Sequence, residues 1–158
     1  AWFVEQVRFV DNADAEIAAL DELNPLREAV VDKRFSESLK GFTPACDSTA
    51  TIALESYRPN RLVYHTEAAH DQLAVFSEIY YQPGWSVTID GKPADHFRAD
   101  WILRSMVVPA GKHEVVFEFK PQGYIRAAYV SSISSFAILL LLVAAVMWSM
   151  RGLVKRTE

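Results

Sequence analysis

Asp95, His96 and Asp100 form the one tight group in this sequence that combines carboxylates with an imidazole. Side chains of these types bind hard metal ions or act as general acids and bases. Their spacing does not fit the ligand geometry of a metal site, because such a site needs three or four ligand atoms that converge on one ion. We therefore predict that this group lies in a solvated loop that crosses between strands.

Motifs for covalent or phosphate chemistry are absent from the sequence. It contains no glycine-rich phosphate loop, no nucleophile elbow and no HExxH helix. Asp11 and Asp14 lie near a predicted helix start, where free backbone N–H groups stabilise carboxylates, so capping accounts for them. We predict no catalytic residue, no metal and no cofactor in this segment.

A second candidate site consists of aromatic rings with a carboxylate nearby, the combination that binds a sugar through its apolar face and its hydroxyls. The possible glycan or acceptor contacts are Tyr80, Tyr81, Trp85, Asp90 and Trp101. In the run WSVTIDGKP, however, alternation puts Trp85 on one face with Val87 and Ile89. This pattern predicts a core tryptophan in a hairpin closed by Asp90-Gly91, and the wall of a sugar site is the alternative.

The elements that would position these residues are strands. From residue 49 to 122 the hydrophobic pattern has a period of two, and turn residues recur every 8 to 12 positions. Predicted strands cover residues 51–57, 61–68, 71–81, 85–90, 93–100, 102–109 and 112–120. The last of them puts His113 on its inward face, as expected for a structural histidine with its hydrogen bonds satisfied. The pattern predicts a mainly β fold, an antiparallel, jelly-roll-like β-sandwich.

Residues 1–48 have a mixed pattern that predicts an α/β entry segment packed on the sandwich. Asp11, Asn12 and Asp14 supply capping oxygens for a short helix over 15–23. A strand is predicted at 28–32. Polar residues with Gly41 and Pro44 predict a loop over 36–48.

A stretch of 24 residues between Arg126 and Arg151 carries no charge. Its apolar part, residues 133–150, is long enough to cross a hydrocarbon core of about 30 Å. We predict a membrane-entry segment and transmembrane helix over 123–150, with the lipid bilayer as a partner. The basic tail at 151–158 is expected in the cytoplasm and the sandwich outside.

Charge and cysteine content exclude several classes of function. Of 16 basic and 20 acidic residues, three basic and one acidic lie in the tail, which leaves residues 1–126 with a formal charge of −6. That balance argues against a nucleic-acid partner. Cys46 is alone, so no intrachain disulfide can form. The start AWFVEQV has no initiator methionine and no signal core, and we expect a C-terminal piece of a longer membrane protein, with a processed amino terminus as the alternative.

The order of these segments resembles a known family. Residues 61–119 read RLVYHTEAAHDQLAVFSEIYYQPGWSVTIDGKPADHFRADWILRSMVVPAGKHEVVFEF and lead into a terminal span. This run, with AWFVEQVRFVDNADAEIAALDEL and AVVDKRF upstream, resembles the C-terminal part of bacterial YfhO-family membrane proteins.

The resemblance implies a polytopic protein of the bacterial inner membrane, of the GT-C glycosyltransferase type. Such a parent would use a polyprenyl-phosphate-linked sugar as donor and transfer it on the outer side. The family's catalytic acid is expected in an early extracytoplasmic loop that this chain does not contain, so no catalytic residue is carried onto it. The partners implied are upstream spans of the same parent and a glycan or lipid-linked sugar.

Two other hypotheses use the same features differently. A single-pass, membrane-anchored β-sandwich would bind glycan or cell-envelope components through the aromatic set. A purely structural membrane subunit would dock its span against other helices, and the serines clustered at the helix entry allow close approach. Those serines are Ser131, Ser132, Ser134 and Ser135.

Overall fold

The computed structural model describes residues 1–154, with side chains described through Trp148. Its contacts divide the chain into a compact unit, Ala1–Lys120, which we call the β-unit, and a second unit that begins at Pro121. The side chain of Arg151 and the whole of Lys155 and Arg156 lie outside the described part, and with them the predicted basic tail.

The entry segment is α/β, as its pattern predicts. Its elements are β1 (Trp2–Val4), β2 (Gln6–Val10), α1 (Ala13–Ala19), a 3₁₀ turn (Leu20–Glu22), β3 (Glu28–Asp32) and a second 3₁₀ segment (Lys33–Leu39). Asn12 caps α1, because its side-chain oxygen accepts a hydrogen bond from the Ala15 N–H at 2.9 Å. The predicted loop over 36–48 begins instead inside the second 3₁₀ segment, where Leu39 is buried.

Every predicted strand after residue 49 is present. They are β4 (Thr51–Arg58), β5 (Arg61–Ala68), β6 (Gln72–Ile79), β7 (Trp85–Ile89), β8 (Lys92–Ala94), β9 (Phe97–Ala99), β10 (Leu103–Val108) and β11 (Gly111–Phe119). The mainly β, antiparallel fold is thus confirmed. Asp90 and Gly91 both have positive φ values, 51° and 76°, as the tight turn between β7 and β8 requires.

Two antiparallel sheets form the sandwich. One has the order β4-β5-β11-β7-β8, and the other has the order β1-β6-β10-β9. A separate pair, β2 and β3, runs parallel. β1 belongs to the sandwich, because it pairs with β6 through Trp2↔Val75.

The four-stranded sheet is covered on both faces, which makes three layers. Between the two large sheets lies one core, of Leu62, Tyr64, Ala74, Phe76, Val87, Met106, Val108, Val115 and Phe117. A second core joins the other face of that sheet to the entry segment, through Val4, Ala29, Val31, Leu39, Leu73, Val75, Phe97 and Ala99. Burial on both faces explains the continuous apolar run over residues 73–76 in β6.

The stretch 93–100 contains two strands in different sheets, where the sequence predicted one. Lys92–Ala94 pairs with β7, and Phe97–Ala99 pairs with β10. The chain therefore crosses from one sheet to the other at Asp95 and His96. Both ends of this crossing are fixed, because the residues on either side of it pair in strands.

The second unit contains one long helix, α2 (Gln122–Val154). Its segment Gln122–Trp148 contains an 18-residue window with a mean hydropathy of 2.4, and the segment is long and apolar enough to cross a membrane. The predicted C-terminal apolar helix is present. Within it, the hydroxyls of Ser132 and Ser134 donate to the carbonyls four residues earlier.

Candidate functional site

Four of the five candidate sugar contacts lie at one end of the sandwich. The Tyr80 N–H donates to the Ile102 carbonyl at 2.7 Å, which joins the end of β6 to the turn before β10. Trp85 begins β7 beside Phe119 at the end of β11. We call this end, formed by residues 79–85, 100–104 and 117–120, the exit end, since β11 leaves the sheet there.

Asp90 is not part of this group. It closes the hairpin at the opposite end of β7, five residues from Trp85, or about 17 Å along an extended strand. Its two carboxylate oxygens accept hydrogen bonds from His113 Nδ1 at 2.6 Å and from the Glu114 N–H at 2.9 Å. The bond from the imidazole lowers the pKa of Asp90 and raises that of His113. His113 is the satisfied structural histidine that its strand position predicts.

Trp85 packs against the core between the sheets, as its alternation with Val87 and Ile89 predicts. Its ring also lies against a buried cation. The Arg104 guanidinium is 4.4 Å from the Trp85 ring centre and 4.6 Å from that of Phe117, so the charge lies between two aromatic faces. Trp85 therefore has a structural role at the exit end, where its ring covers one side of the buried Arg104 guanidinium.

Tyr80 and Trp101 are half-buried, and Tyr81 is 55% exposed. The Tyr80 ring meets Phe35 and His96 edge-on, at 5.9 and 5.4 Å between centroids, and burial raises the pKa of its phenol. Trp101 has a φ of 71°, and the Arg98 guanidinium lies 5.3 Å from its ring. The exit end thus presents one free tyrosine ring beside two partly covered aromatic rings.

Arg104 was not predicted as a site residue, although it is the largest of the fully buried side chains, at 2% exposure. Its Nη2 donates to the Ile79 carbonyl at 3.3 Å, while Nε and Nη1 have no partner among the described residues. Burial lowers its pKa. A signal was present in the sequence: in ILRSMVVP, Arg104 alternates with Met106 and Val108 and so faces the core.

The predicted solvated loop at Asp95, His96 and Asp100 is wrong for two of its three residues. Asp95 is exposed, but Asp100 is only 6% exposed, and His96 packs against Tyr80 and Phe117. Burial lowers the pKa of His96 to about 4, and the nearby Arg104 cation acts in the same direction. The ring is therefore neutral at neutral pH. Packing at the crossing between sheets buries Asp100 and partly covers His96.

Asp100 in the exit end and Glu16 on α1, which accepts a hydrogen bond from the Trp101 N–H of that end, are two buried carboxylates. Asp100 Oδ1 accepts a hydrogen bond from the Val30 N–H at 2.7 Å, and its Oδ2 has no partner among the described residues. Burial raises the pKa of Asp100 to about 6. The hydrogen bond from the Val30 N–H acts to lower the pKa, whereas the negative charges of Glu16 and Glu28 add to the rise. The φ of Asp100 is 49°, a conformation that aspartate and asparagine tolerate best among residues with a Cβ.

Replacing Asp100 by asparagine should remove part of the pH dependence of folding. The pKa of the carboxyl rises from 3.8 to about 6 on folding. Its stabilising effect is thus complete below pH 3.8 and is lost as the pH rises through 6, by no more than about 3 kcal/mol. In Asp100→Asn we expect urea midpoints that change less between pH 4 and 7 and that exceed the wild-type midpoint at pH 7.5. Asp95→Asn, at the exposed neighbour, is the control, and an unchanged pH slope in Asp100→Asn would contradict the assignment.

The chemistry available at the exit end is ring stacking and cation–π contact. The two carboxylates are buried and engaged by the Val30 N–H, the Arg98 guanidinium and the Trp101 N–H, and are not directed to solvent. Elsewhere, Glu55, His65 and Glu114 converge on the outer face of the five-stranded sheet, where their potential ligand atoms lie within 4.8 Å of one another.

A β-sandwich followed by an apolar helix of membrane-spanning length defines the class: a membrane protein with a β-rich domain outside the bilayer core. The family model described as bacterial membrane protein YfhO matches residues 36–131. Because the match covers about three fifths of the chain, the chain belongs to this family. No curated protein and no solved structure matches the chain.

Proposed function

We propose that this chain is the noncatalytic, extracytoplasmic C-terminal domain and last membrane span of a polytopic glycosyltransferase. Its sugar donor would be a polyprenyl-phosphate-linked sugar, and its membrane the bacterial inner membrane with the sandwich outside and the C-terminal tail in the cytoplasm. The observation that carries the proposal is the family match, which runs from the entry segment through all of β4–β11 into the first turns of α2. The GT-C assignment of the parent rests on the sequence resemblance.

The exit end supports a role in handling a sugar near the membrane. The Lys120 N–H donates to the Gly84 carbonyl at 2.7 Å, so the chain leaves the β-unit beside the loop that carries Tyr80 and Tyr81. Lys120 is followed at once by Pro121 and α2. The end of the β-unit with the aromatic rings is therefore also the end from which the chain continues into the apolar helix.

The role that fits this end is orientation and exclusion of water. A pyranose stacks its apolar face on an exposed ring, and Tyr81 is the one ring of the set with most of its surface free. Closing a site against water protects a reactive glycosyl donor from hydrolysis. Proton transfer and activation of the acceptor are left to residues elsewhere in the parent, since Glu16 and Asp100 are buried in internal bonds.

The test uses the full-length natural protein in membranes, with sugar transfer from a polyprenyl-phosphate-linked donor as the readout. In Tyr81→Ala we expect a transfer rate at subsaturating acceptor lower by about threefold to tenfold, through KM, because the loss of one stacking contact is worth roughly 0.5–1.5 kcal/mol. Phe9→Ala removes an exposed aromatic ring from the separate β2–β3 pair and is the matched control. Absence of transfer in the wild type would overturn the glycosyltransferase assignment, whereas an unchanged Tyr81→Ala would overturn only the role of the exit end.

A single-pass anchored module that binds glycan is the second candidate. It is favoured because the Tyr81 ring is exposed and free to stack on a sugar, while Glu16 and Asp100 are buried in internal bonds, which fits binding without catalysis. The size of the natural protein separates the two. A large product with many spans supports the transferase, while a product with the one span Gln122–Trp148 supports the binding module and predicts glycan affinity that Tyr81→Ala removes.

A further inference from the structure

Three potential metal ligands meet on the outer face of the five-stranded sheet, away from the exit end. Glu55 on β4, His65 on β5 and Glu114 on β11 place their ligating atoms all within 4.8 Å of one another. They come from three adjacent strands, so the sheet itself holds the spacing.

Strand register explains why the three side chains converge. His65 and Glu114 are direct cross-strand partners, which puts their side chains side by side on one face. The register of β4 shifts between Leu54 and Ser56, so that Glu55 is an extra residue without a partner on β5. Such a bulge redirects a side chain, and here it brings Glu55 Oε2 to 2.8 Å from His65 Nε2.

The charges around this face leave the group electronegative. Glu114 has no ion pair or side-chain hydrogen bond among the described residues, although its backbone N–H donates to Asp90. Lys112, two residues before Glu114 on β11, pairs with Glu67 at 3.1 Å. Two carboxylates therefore lie close to one imidazole, and a divalent cation would offset their negative charge.

We propose that Glu55, His65 and Glu114 form a site for a divalent transition-metal ion of the zinc type. An imidazole nitrogen with two carboxylate oxygens suits zinc or nickel, whereas magnesium and calcium prefer oxygen alone. Ligand atoms at about 2.0–2.2 Å from a tetrahedral zinc lie roughly 3.3 Å apart. Glu55 Oε2 and His65 Nε2 are 2.8 Å apart and all three ligand atoms lie within 4.8 Å of one another, so side-chain rotations can bring them onto one ion, with water as the fourth ligand.

The ion would tie the edge strand to its sheet. β4 has a single neighbour, β5, and most of its side chains are exposed. A ligand shared by β4, β5 and β11 binds only the paired arrangement and stabilises it by mass action. This inference does not depend on the proposed glycosyltransferase function, and its readouts are binding and folding.

The experiment titrates the full chain, in detergent and treated with a chelator, with Zn²⁺, Ni²⁺, Mg²⁺ and Ca²⁺ by calorimetry and thermal unfolding. The background variant Cys46→Ser removes the free thiol as an alternative ligand. We expect one Zn²⁺ per chain, micromolar affinity, a higher unfolding temperature, and at least tenfold weaker binding in His65→Ala and in Glu114→Gln. His70→Ala and Glu37→Gln, which change an imidazole and an exposed carboxylate away from this face, are the controls and should bind as the background does. Absence of Zn²⁺ binding, binding that survives His65→Ala, or equal affinity for Ca²⁺ would overturn the site.

Discussion

Phe117→Ala should destabilise the β-unit by about 3–5 kcal/mol, the range for truncation of a fully buried phenylalanine. Phe117 is completely buried between the two large sheets. Its ring lies 4.9 Å from that of Phe76 and 6.3 Å from that of Tyr64, and it covers one face of the Arg104 guanidinium. The truncation would leave a cavity and also remove half of the aromatic cover of a buried charge.

The measurement is a urea titration of the full chain in detergent, followed by tryptophan fluorescence. Phe119→Ala is the matched control, two residues along the same strand, where the ring is partly exposed and stacks on Trp85 alone among the aromatic side chains. A loss in Phe117→Ala no greater than in Phe119→Ala would show that the cluster around Arg104 does not hold the sheets together.

Strands whose two faces differ were predictable from the sequence. β11 alternates inward Val115 and Phe117 with outward Glu114 and Glu118. The apolar runs of β5 and β3, buried on both faces at their centres, were also predicted at their observed bounds. The Asp90-Gly91 turn was predictable because its two positive φ values restrict the residue types that can occupy it. In these elements the local pattern and the tertiary fold require the same residues.

Elements fixed by distant partners were not predictable in the same way. β1 has three residues and too little pattern to reveal that it pairs with β6, some seventy positions later. The division of 93–100 between two sheets depends on β7 and β10, and the neighbouring apolar residues do not encode it. Sequence alternation identifies a face but not the strand opposite it.

The candidate site shows the same division. The aromatic residues Tyr80, Tyr81, Trp85 and Trp101 stand out by type, and the structure brings them to one end. Asp90 is close to Trp85 in sequence, yet strand geometry carries it to the other end. The buried charges were harder to recognise, because a carboxylate such as Glu16 on a short helix resembles a solvent-exposed or capping residue until its partners in β9 and the following turn are known.

Glu16→Gln should destabilise the β-unit by about 3 kcal/mol or more, since it removes one partner of a buried ion pair. Glu16 is fully buried. Its Oε2 pairs with the Arg98 guanidinium, and its Oε1 accepts a hydrogen bond from the Trp101 N–H at 3.0 Å. The amide would keep an acceptor for Trp101 but leave the Arg98 charge without this counter-ion. The Arg98 Nε already has no partner among the described residues.

Comparison with Glu28→Gln isolates the effect of burial. Glu28 pairs with Arg8 at 2.8 Å, but the Arg8 side chain is 39% exposed, so this pair is worth at most about 1 kcal/mol. Urea midpoints of both variants at pH 7.5 give the two losses, and equal losses would contradict a special role for Glu16.

A second consequence follows at Asp100, because the Glu16 charge helps to raise the pKa of that carboxyl. In Glu16→Gln the pH at which Asp100 ionises should move down, and the stability change of the β-unit should shift to lower pH with it. A double variant with Asp100→Asn should lose this shift, whereas a merely distorted helix α1 would leave the pH profile of Asp100 in place. The link between α1 and the turn before β10 is therefore tested by a pH profile as well as by a loss of stability.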